Sequence, residues 1–496
     1  MRNKFNILYV APEVFPFTQS GALGEVSGAL PKYLKNLGHD IRVIMPNYGS
    51  INERKYVLRD VIRLQGIKIK FGDDVYEASA KSAFIPDSKV QVYFLDNKHF
   101  FDREGLYFDD VSGKEYGDNA QRYIFFCKGC LEILKLLHWQ PDIIHCNNWQ
   151  TAIIPLLLKT IYCNDAFFKN TKTLFSFYNL SGAGVFESAV ISKLGIPRAA
   201  LDLTPLPENS HFDFLRMGLE FADLLNTSTG SFSKGVPEQY RNSELFDILK
   251  KRKDDIHGIG NGVDEQIWNP ELDDLIPAKY GRRDLSGKIQ NKEEVLKRFG
   301  LRASEKVPVI STISRHADDD VTDRLPEVID QVLRLGVQLL IAGPAAAKHK
   351  KKLKAVQKEF PGQIGIEPNL DTTLLHLLVA GSDLCLIPAG FDSGGLCPLY
   401  SLAYGTIPII SKQSSGAENI EDASSSNGSG NGFILDDTQP KEILKVIKNI
   451  VKVYEKRDLW LKVIQNAMKQ DLSWNNSAQK YIKLYQKLLT GKGPGK

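Results

Sequence analysis

The chain begins with a stretch that could hold an anion. In NILYVAPEVFPFTQSGALGEVSGALPKYLKNLGHDIRVIMP an apolar run from Ile7 to Val10 leads through a loop into Leu23, Val26, Leu30, Leu34 and Leu37. A second apolar run follows, from Ile41 to Met45. Apolar residues three and four apart predict a helix and the flanking runs predict strands, so this is a βαβ unit with its tight turn at Ser20-Gly21. Such a turn presents backbone N–H groups and a helix N-terminus, both of which suit a phosphate. No Lys or Arg stands between Lys4 and Lys32, so the loop offers shape without charge.

Other reactive side chains have structural readings. Cys127-Lys-Gly-Cys130 is formally a CxxC, but it lies inside RYIFFCKGCLEILKLL, which reads as a buried helix, and no second cysteine pair accompanies it. His145, at a predicted strand end with its nearest histidine seven residues away at His138, reads as a hydrogen-bonded structural residue. Trp149 and Trp268 read as core or hinge-packing residues rather than ligand-stacking platforms. The run Lys348 to Lys354 reads as a solvated helix face, with a polymeric ligand or an acidic partner as the sharper alternative.

The elements that must position these residues come in two sets. At 496 residues the chain is too long for one core. The first half alternates strand-like and helix-like stretches: KVQVYFLD, a helix from Asn119 to Leu137, PDIIHCNNWQ, TAIIPLLLKTIY, TLFSFYN and LLNTST. This rhythm predicts a parallel sheet covered on both faces. A Gly/Asn/Pro-rich cluster, GIGNGVDEQIWNP, marks the boundary. The pattern then restarts with VPVISTIS, RLPEVIDQVLRLG, VQLLIAG, AAAKHKKKLKAVQKEF, IGIEPN, TLLHLLVAG, DLCLIPA, CPLYSLAYG and IPIIS. The expected fold class is α/β, with two doubly wound Rossmann-like domains facing each other across a cleft and ligands at the carboxyl ends of the strands. The expected domains are residues 1–264, residues 265–470, and a C-terminal helix, 471–496, returning to the first.

Composition narrows the function classes. Hydrophobic content of 43% and charge of 25% are ordinary for a globular protein, and a net charge of +4 argues against a dedicated nucleic-acid binder. No stretch approaches ~18 consecutive apolar residues, so no membrane partner is expected. Six scattered cysteines fit a reduced, cytoplasmic protein without structural disulfides.

Over nearly its whole length the chain resembles the bacterial glycogen synthases and plant starch synthases. The resemblance is carried by NILYVAPEVFPF…GALPKYLKNLGHDIRVIMPNYG, PDIIHCNNWQTAIIPLLL, GIGNGVDEQIWNP, GFDSGGLCPLYSLAYGTIPII and SWNNSAQKYIKLYQKLL. It implies a hexosyltransferase of the two-domain B-type fold. The implied reaction is transfer of glucose from ADP-glucose to the non-reducing end of an α-1,4-glucan in glycogen biosynthesis, with retention at the anomeric carbon. Donor would bind mainly the second domain and glucan acceptor the first, with no cofactor and no metal. Basic side chains must then offset the charge of the diphosphate leaving group.

Carried over residue by residue, the family's site is unevenly kept. Its Lys-Thr-Gly-Gly-Leu is Gln19-Ser20-Gly21-Ala22-Leu23 here, and its His-Asp-Trp-His is Asn147-Asn148-Trp149-Gln150. Its His-Asn-Leu, near the reacting sugar, is Tyr178-Asn179-Leu180. Ser314-Arg315 is retained, but the lysine expected five residues later is Asp320, within the acidic run Asp318 to Asp320, which taken alone also reads as a solvated turn before a helix. The loop Phe-Glu-Pro-Cys-Gly-Leu is Phe391-Asp392-Ser393-Gly394-Gly395-Leu396, and Thr-Gly-Gly-Leu aligns with Gln413-Ser414-Ser415-Gly416. The resemblance therefore implies Asp392, Arg315 and Tyr178 as catalytic. It implies Gln19, Ser20, Gly21, Asn148, Asp320, Gly394, Gly395, Leu396 and Ser414 as substrate-binding. Arg315 can grip a diphosphate through two parallel hydrogen bonds, and helix N-termini at Gly21 and Gly395 can assist. The five changes at 19, 148, 178, 320 and 392 support an alternative: an impaired glucan- or nucleotide-binding homologue with a regulatory or scaffold role.

Overall fold

A computed structural model describes residues 4–109, 112–180, 184–196, 211–230, 245–314, 320–344, 346, 349–387, 394–424 and 428–491, the side chains of 320–324 excepted. Two compact units make up the chain, Met1–Ile259 with Ser477–Lys496, and Gly260–Asn476.

The first unit contains β1 (Asn6–Val10), β2 (Asp40–Pro46), β3 (Arg59–Asp60), β4 (Ile67–Phe71), β5 (Asp74–Phe84) and β6 (Gln91–Asp96). It continues with β7 (Ile143–Asn147), β8 (Lys172–Phe177), β9 (Val185–Phe186), β10 (Phe212–Asp213), β11 (Leu224–Thr227) and β12 (Ile256–Gly258). All but β9 and β10, which pair with each other, join one sheet in the order β12-β11-β8-β7-β1-β2-β6-β5-β3, with β4 also on β5. From β12 to β6 every pairing is parallel, and Ile7 to Val10 at its centre are fully buried. Helices cover such strands on both faces, so they read as continuous apolar runs.

The edge departs from the all-parallel expectation. β5 runs antiparallel to β6, and β3 and β4 run antiparallel to β5. In β4 the sequence Ile-Lys-Ile-Lys-Phe alternates buried and exposed, the pattern of a strand with one solvated face.

The second unit's sheet is built from β13 (Val309–Ile313), β14 (Gln338–Ala342), β15 (Ile364–Glu367), β16 (Leu384–Ile387), β17 (Ile407–Ser411) and β18 (Phe433–Leu435). Its order is β15-β14-β13-β16-β17-β18, parallel throughout. Both sheets are doubly wound. The strand order reverses between β1 and β7 in the first unit and between β13 and β16 in the second. A crevice opens at the carboxyl ends of strands at such a reversal, and ligands of α/β folds sit there.

Candidate active site

In the first unit the reversal point is lined by the loop after β1 and by the segments after β7 and β8. The helix Ala22–Asn36 begins at Gly21, as the spacing predicts. The turn before it is occupied from within. Glu13, buried, accepts hydrogen bonds from the Ser20 backbone N–H and from Ser20 Oγ at 3.1 Å, from Tyr107 Oη at 3.1 Å and from the Gly21 backbone. Burial pushes the Glu13 carboxyl above the usual carboxylate range, while those donors pull it back. Two of the amides read from sequence as donors to a phosphate thus already hold a carboxylate. Gln19 and Ser20 are exposed beside them.

Asn148 follows β7 with φ 63° and ψ 174°, a region that side chains other than glycine rarely enter. It is held there by its N–H donating to Ser176 O at 2.8 Å and by Thr151, whose N–H and Oγ1 both donate to Asn148 O at 3.1 Å. Strain of this kind costs ~1–3 kcal/mol and is common where a side chain must be aimed at a ligand. Tyr178 follows β8 and its Oη donates to Asn147 Oδ1 at 3.4 Å. Burial, then the neighbouring Tyr9, holds the Tyr178 phenol well above its usual range. It can therefore donate a hydrogen bond but cannot serve as a cation or a base near neutral pH.

Beneath these residues runs a polar network. His145 is fully buried, with Nδ1 2.8 Å from Tyr485 Oη and Nε2 2.7 Å from Ser176 Oγ. Ser176 Oγ and Tyr481 Oη both donate to Asn226 Oδ1 at 2.8 Å. Because the serine proton goes to Asn226, His145 donates from Nε2 and accepts at Nδ1. Burial lowers its pKa to about 3, so it is a neutral structural histidine. Trp149 is likewise core, packed edge-on to Tyr123 and against Phe186 and Phe214. Beside it an open groove is lined by Gln121, Phe186, Glu187, Lys193 and His211, together with small apolar residues such as Ala120, Ala189 and Val190. Sequence reasoning missed this groove, whose residues come from separated segments without a shared motif.

In the second unit the segments after β13, β16 and β17 carry Ser314, Gly394 to Leu396 and Ser414. Ser314 follows β13, and its N–H donates to Ala342 O at 2.9 Å. Arg315 and Asp392 lie outside the described residues. Asp320 is the first residue of the helix Asp320–Leu333. Gly395 caps the helix Leu396–Ala403 at φ +65°, and Gly416 on the loop after β17 has φ +86°. Their backbones touch: a Cβ on Gly395 would lie 3.0 Å from Gly416 N, and one on Gly416 would lie 2.7 Å from Pro398 Cγ. Only glycine fits both the dihedral and the space. Ser414 Oγ, on the same loop, is buried with no hydrogen-bond partner among the described residues. Asn261 Nδ2 donates to Gly394 O at 2.6 Å, while its Oδ1 is buried and unsatisfied among those residues. A helix N-terminus, an orphan hydroxyl and an orphan amide oxygen are thus gathered at one sheet edge. Asn261 was missed as a site residue because its GIGNGVD motif reads as a turn cluster.

The remaining candidates are structural. Trp268 is sandwiched between His376 and Tyr400 at 3.9 Å from each, above an Asp273–His376 pair at 2.7 Å. Cys127 and Cys130 are both buried on the helix Asn119–Leu136, and burial pushes both thiols up. The described lysines of the 348–354 run, Lys350, Lys351, Lys352 and Lys354, are exposed on the helix Lys350–Glu359.

Two doubly wound units with such sites at their reversal points define a glycosyltransferase of the two-domain B type. Residues 6–251 match the starch synthase catalytic domain, and residues 295–469 match the glycosyl transferases group 1 model. The chain is 34% identical over 489 residues to a glycogen synthase of Chlorobium limicola, covering 98% of this chain and 99% of that one. It is 33% identical over 482 residues to a glycogen synthase of Syntrophotalea carbinolica, covering 97% and 98%. Its fold matches the catalytic domain of starch synthase IV from Arabidopsis thaliana, bound to ADP and acarbose, with TM-score 0.87 and 24% identity over 98% of this chain and 100% of that one. The chain belongs to the glycogen synthase family.

Proposed function

We propose that the protein is a retaining glucosyltransferase acting in the cytoplasm, which transfers glucose from ADP-glucose to the non-reducing end of an α-1,4-glucan in glycogen biosynthesis. The observation that carries this reading is similarity to glycogen synthases from end to end, across both units. The donor diphosphate rests on Arg315 and on the cradle of Gly394, Gly395, Leu396 and Ser414, with Asp392 holding the sugar. Tyr178 and Asn148 offer hydrogen bonds near the reacting carbon, and the groove at Phe186 takes the glucan. Gln19, Ser20, Gly21 and Asp320 border the donor without adding positive charge. No cofactor is needed for this chemistry.

A lysine within ~4 Å of a phosphate contributes roughly 1–4 kcal/mol, depending on exposure. Two are replaced, at Gln19 and Asp320, and the first loop already binds an internal carboxylate. These observations favour a second reading, in which the site binds nucleotide or glucan and turns over poorly. On both readings Arg315 is the cation kept at the family's position. Calorimetry at low salt should show ADP binding at micromolar affinity or weaker. Arg315→Ala should abolish that binding, and Arg315→Lys should recover little of it, because the planar fork is lost. Nanomolar affinity in the wild type, or unchanged affinity in Arg315→Ala, would contradict this assignment.

A further inference from the structure

Two thiols stand beside the proposed donor cradle with no part in glucosyl transfer. Cys385 lies on β16, buried, and Cys397 is the second residue of the helix Leu396–Ala403, partly exposed. Their sulfurs are 4.0 Å apart. A disulfide needs ~2.05 Å, a closure of roughly 2 Å that side-chain rotation and a small backbone shift can supply. The other cysteines lack this arrangement: Cys127, Cys130 and Cys146 lie near one another but all three are fully buried, with none open to attack a small disulfide, and Cys163 is exposed.

We propose that Cys385 and Cys397 are a redox modification site, a dithiol that a low-molecular-weight disulfide converts reversibly into an intrachain disulfide. The accessible thiol reacts first. Cys397, as thiolate, attacks one sulfur of the small disulfide, breaking its S–S bond and releasing one small thiol. Cys385 then loses its proton and attacks Cys397 Sγ, forming the protein disulfide and expelling the second small thiol. The protein gives up two electrons and two protons, and the small disulfide takes both up as two thiols. Cys397 sits in the first turn of its helix, where the positive end of the helix favours a thiolate. The bond ties β16 to that turn, whose N–H groups serve the diphosphate on the proposed donor reading, so oxidation weakens nucleotide binding.

The test uses the full-length protein, incubated with excess oxidised glutathione, alkylated and digested without reduction. The expected result is a linked pair of peptides containing Cys385 and Cys397, lighter by two hydrogens and separated again by dithiothreitol. Cys385→Ser should leave a glutathione adduct at Cys397, and Cys397→Ser should leave Cys385 unmodified. Cys163 takes an adduct but no crosslink. A glutathione adduct on wild-type Cys397 that never resolves, or no modification at either position, overturns the site. ADP affinity of the linked form should fall at least tenfold and recover on reduction. An unchanged affinity overturns the coupling to the cradle. Failure of the reduced protein to bind ADP would count against the donor reading alone, because the peptide map needs no nucleotide.

Discussion

Glu13 carries a carboxyl that burial pushes up and that Ser20, Gly21 and Tyr107 hold by hydrogen bonds. A group whose folded pKa is raised binds more protons folded than unfolded in the window above its ordinary value of 4.5, so its contribution to stability falls as pH rises through that window. Glu13→Gln removes the titration. The melting temperature of wild type relative to Glu13→Gln should therefore increase as the pH falls from 8 towards 5. A difference that stays flat with pH would show that Glu13 does not titrate there. At this scale sequence shows which side chains the family expects, and Gln19, Asn148 and Tyr178 are read from it directly. It did not show that Glu13 would fill the turn, because the partners lie at positions 13, 20, 21 and 107 and only folding brings them together. The positive φ of Asn148 is equally invisible, since asparagine tolerates ordinary backbone as well.

The proposed donor cradle is a property of two elements meeting. Gly395 precedes a helix, Gly416 follows a strand, and each needs the other to lack a side chain. Gly416→Ala should lower stability by ~1–2 kcal/mol from the left-handed dihedral alone, and should also weaken ADP binding by forcing the two loops apart. Gly362 is the control, with φ +80° and nothing within 4 Å of its missing Cβ. Gly362→Ala should incur the dihedral cost and leave ADP affinity unchanged, as calorimetry and thermal melts can show. Equal effects of the two variants on binding would rule out the loop contact as the cause. The central parallel strands were legible because burial on both faces writes an uninterrupted apolar run, as in Ile7 to Val10. The edge formed by β3, β4 and β5 was not, since it breaks the βα rhythm from which the sheet was inferred.

At the scale of the molecule, the chain leaves the first unit at Ile259 and re-enters it at Ser477. The helix Trp474–Thr490 then secures the floor of the first site through Tyr481 and Tyr485. Tyr485→Phe strands the Nδ1 acceptor of His145 in a dry interior and should cost ~1–3 kcal/mol. It should also reduce glucan use through the Ser176–Asn226 chain beneath Tyr178. A melting temperature equal to wild type would show that water replaces the phenol. The proposed activity rests on whether the altered site still turns over. Radiolabelled glucose transfer from ADP-glucose to maltooligosaccharides, measured on the reduced wild type beside the triple variant Tyr178→His, Asp320→Lys, Asp392→Glu, tests this directly. Wild-type transfer is expected at ~1 s⁻¹ or faster, within the ordinary enzyme range, with retained anomeric configuration and less than about threefold gain in the triple variant. No transfer by the wild type, with activity restored only in the triple variant, would contradict it and leave the nucleotide- or glucan-binding homologue in its place.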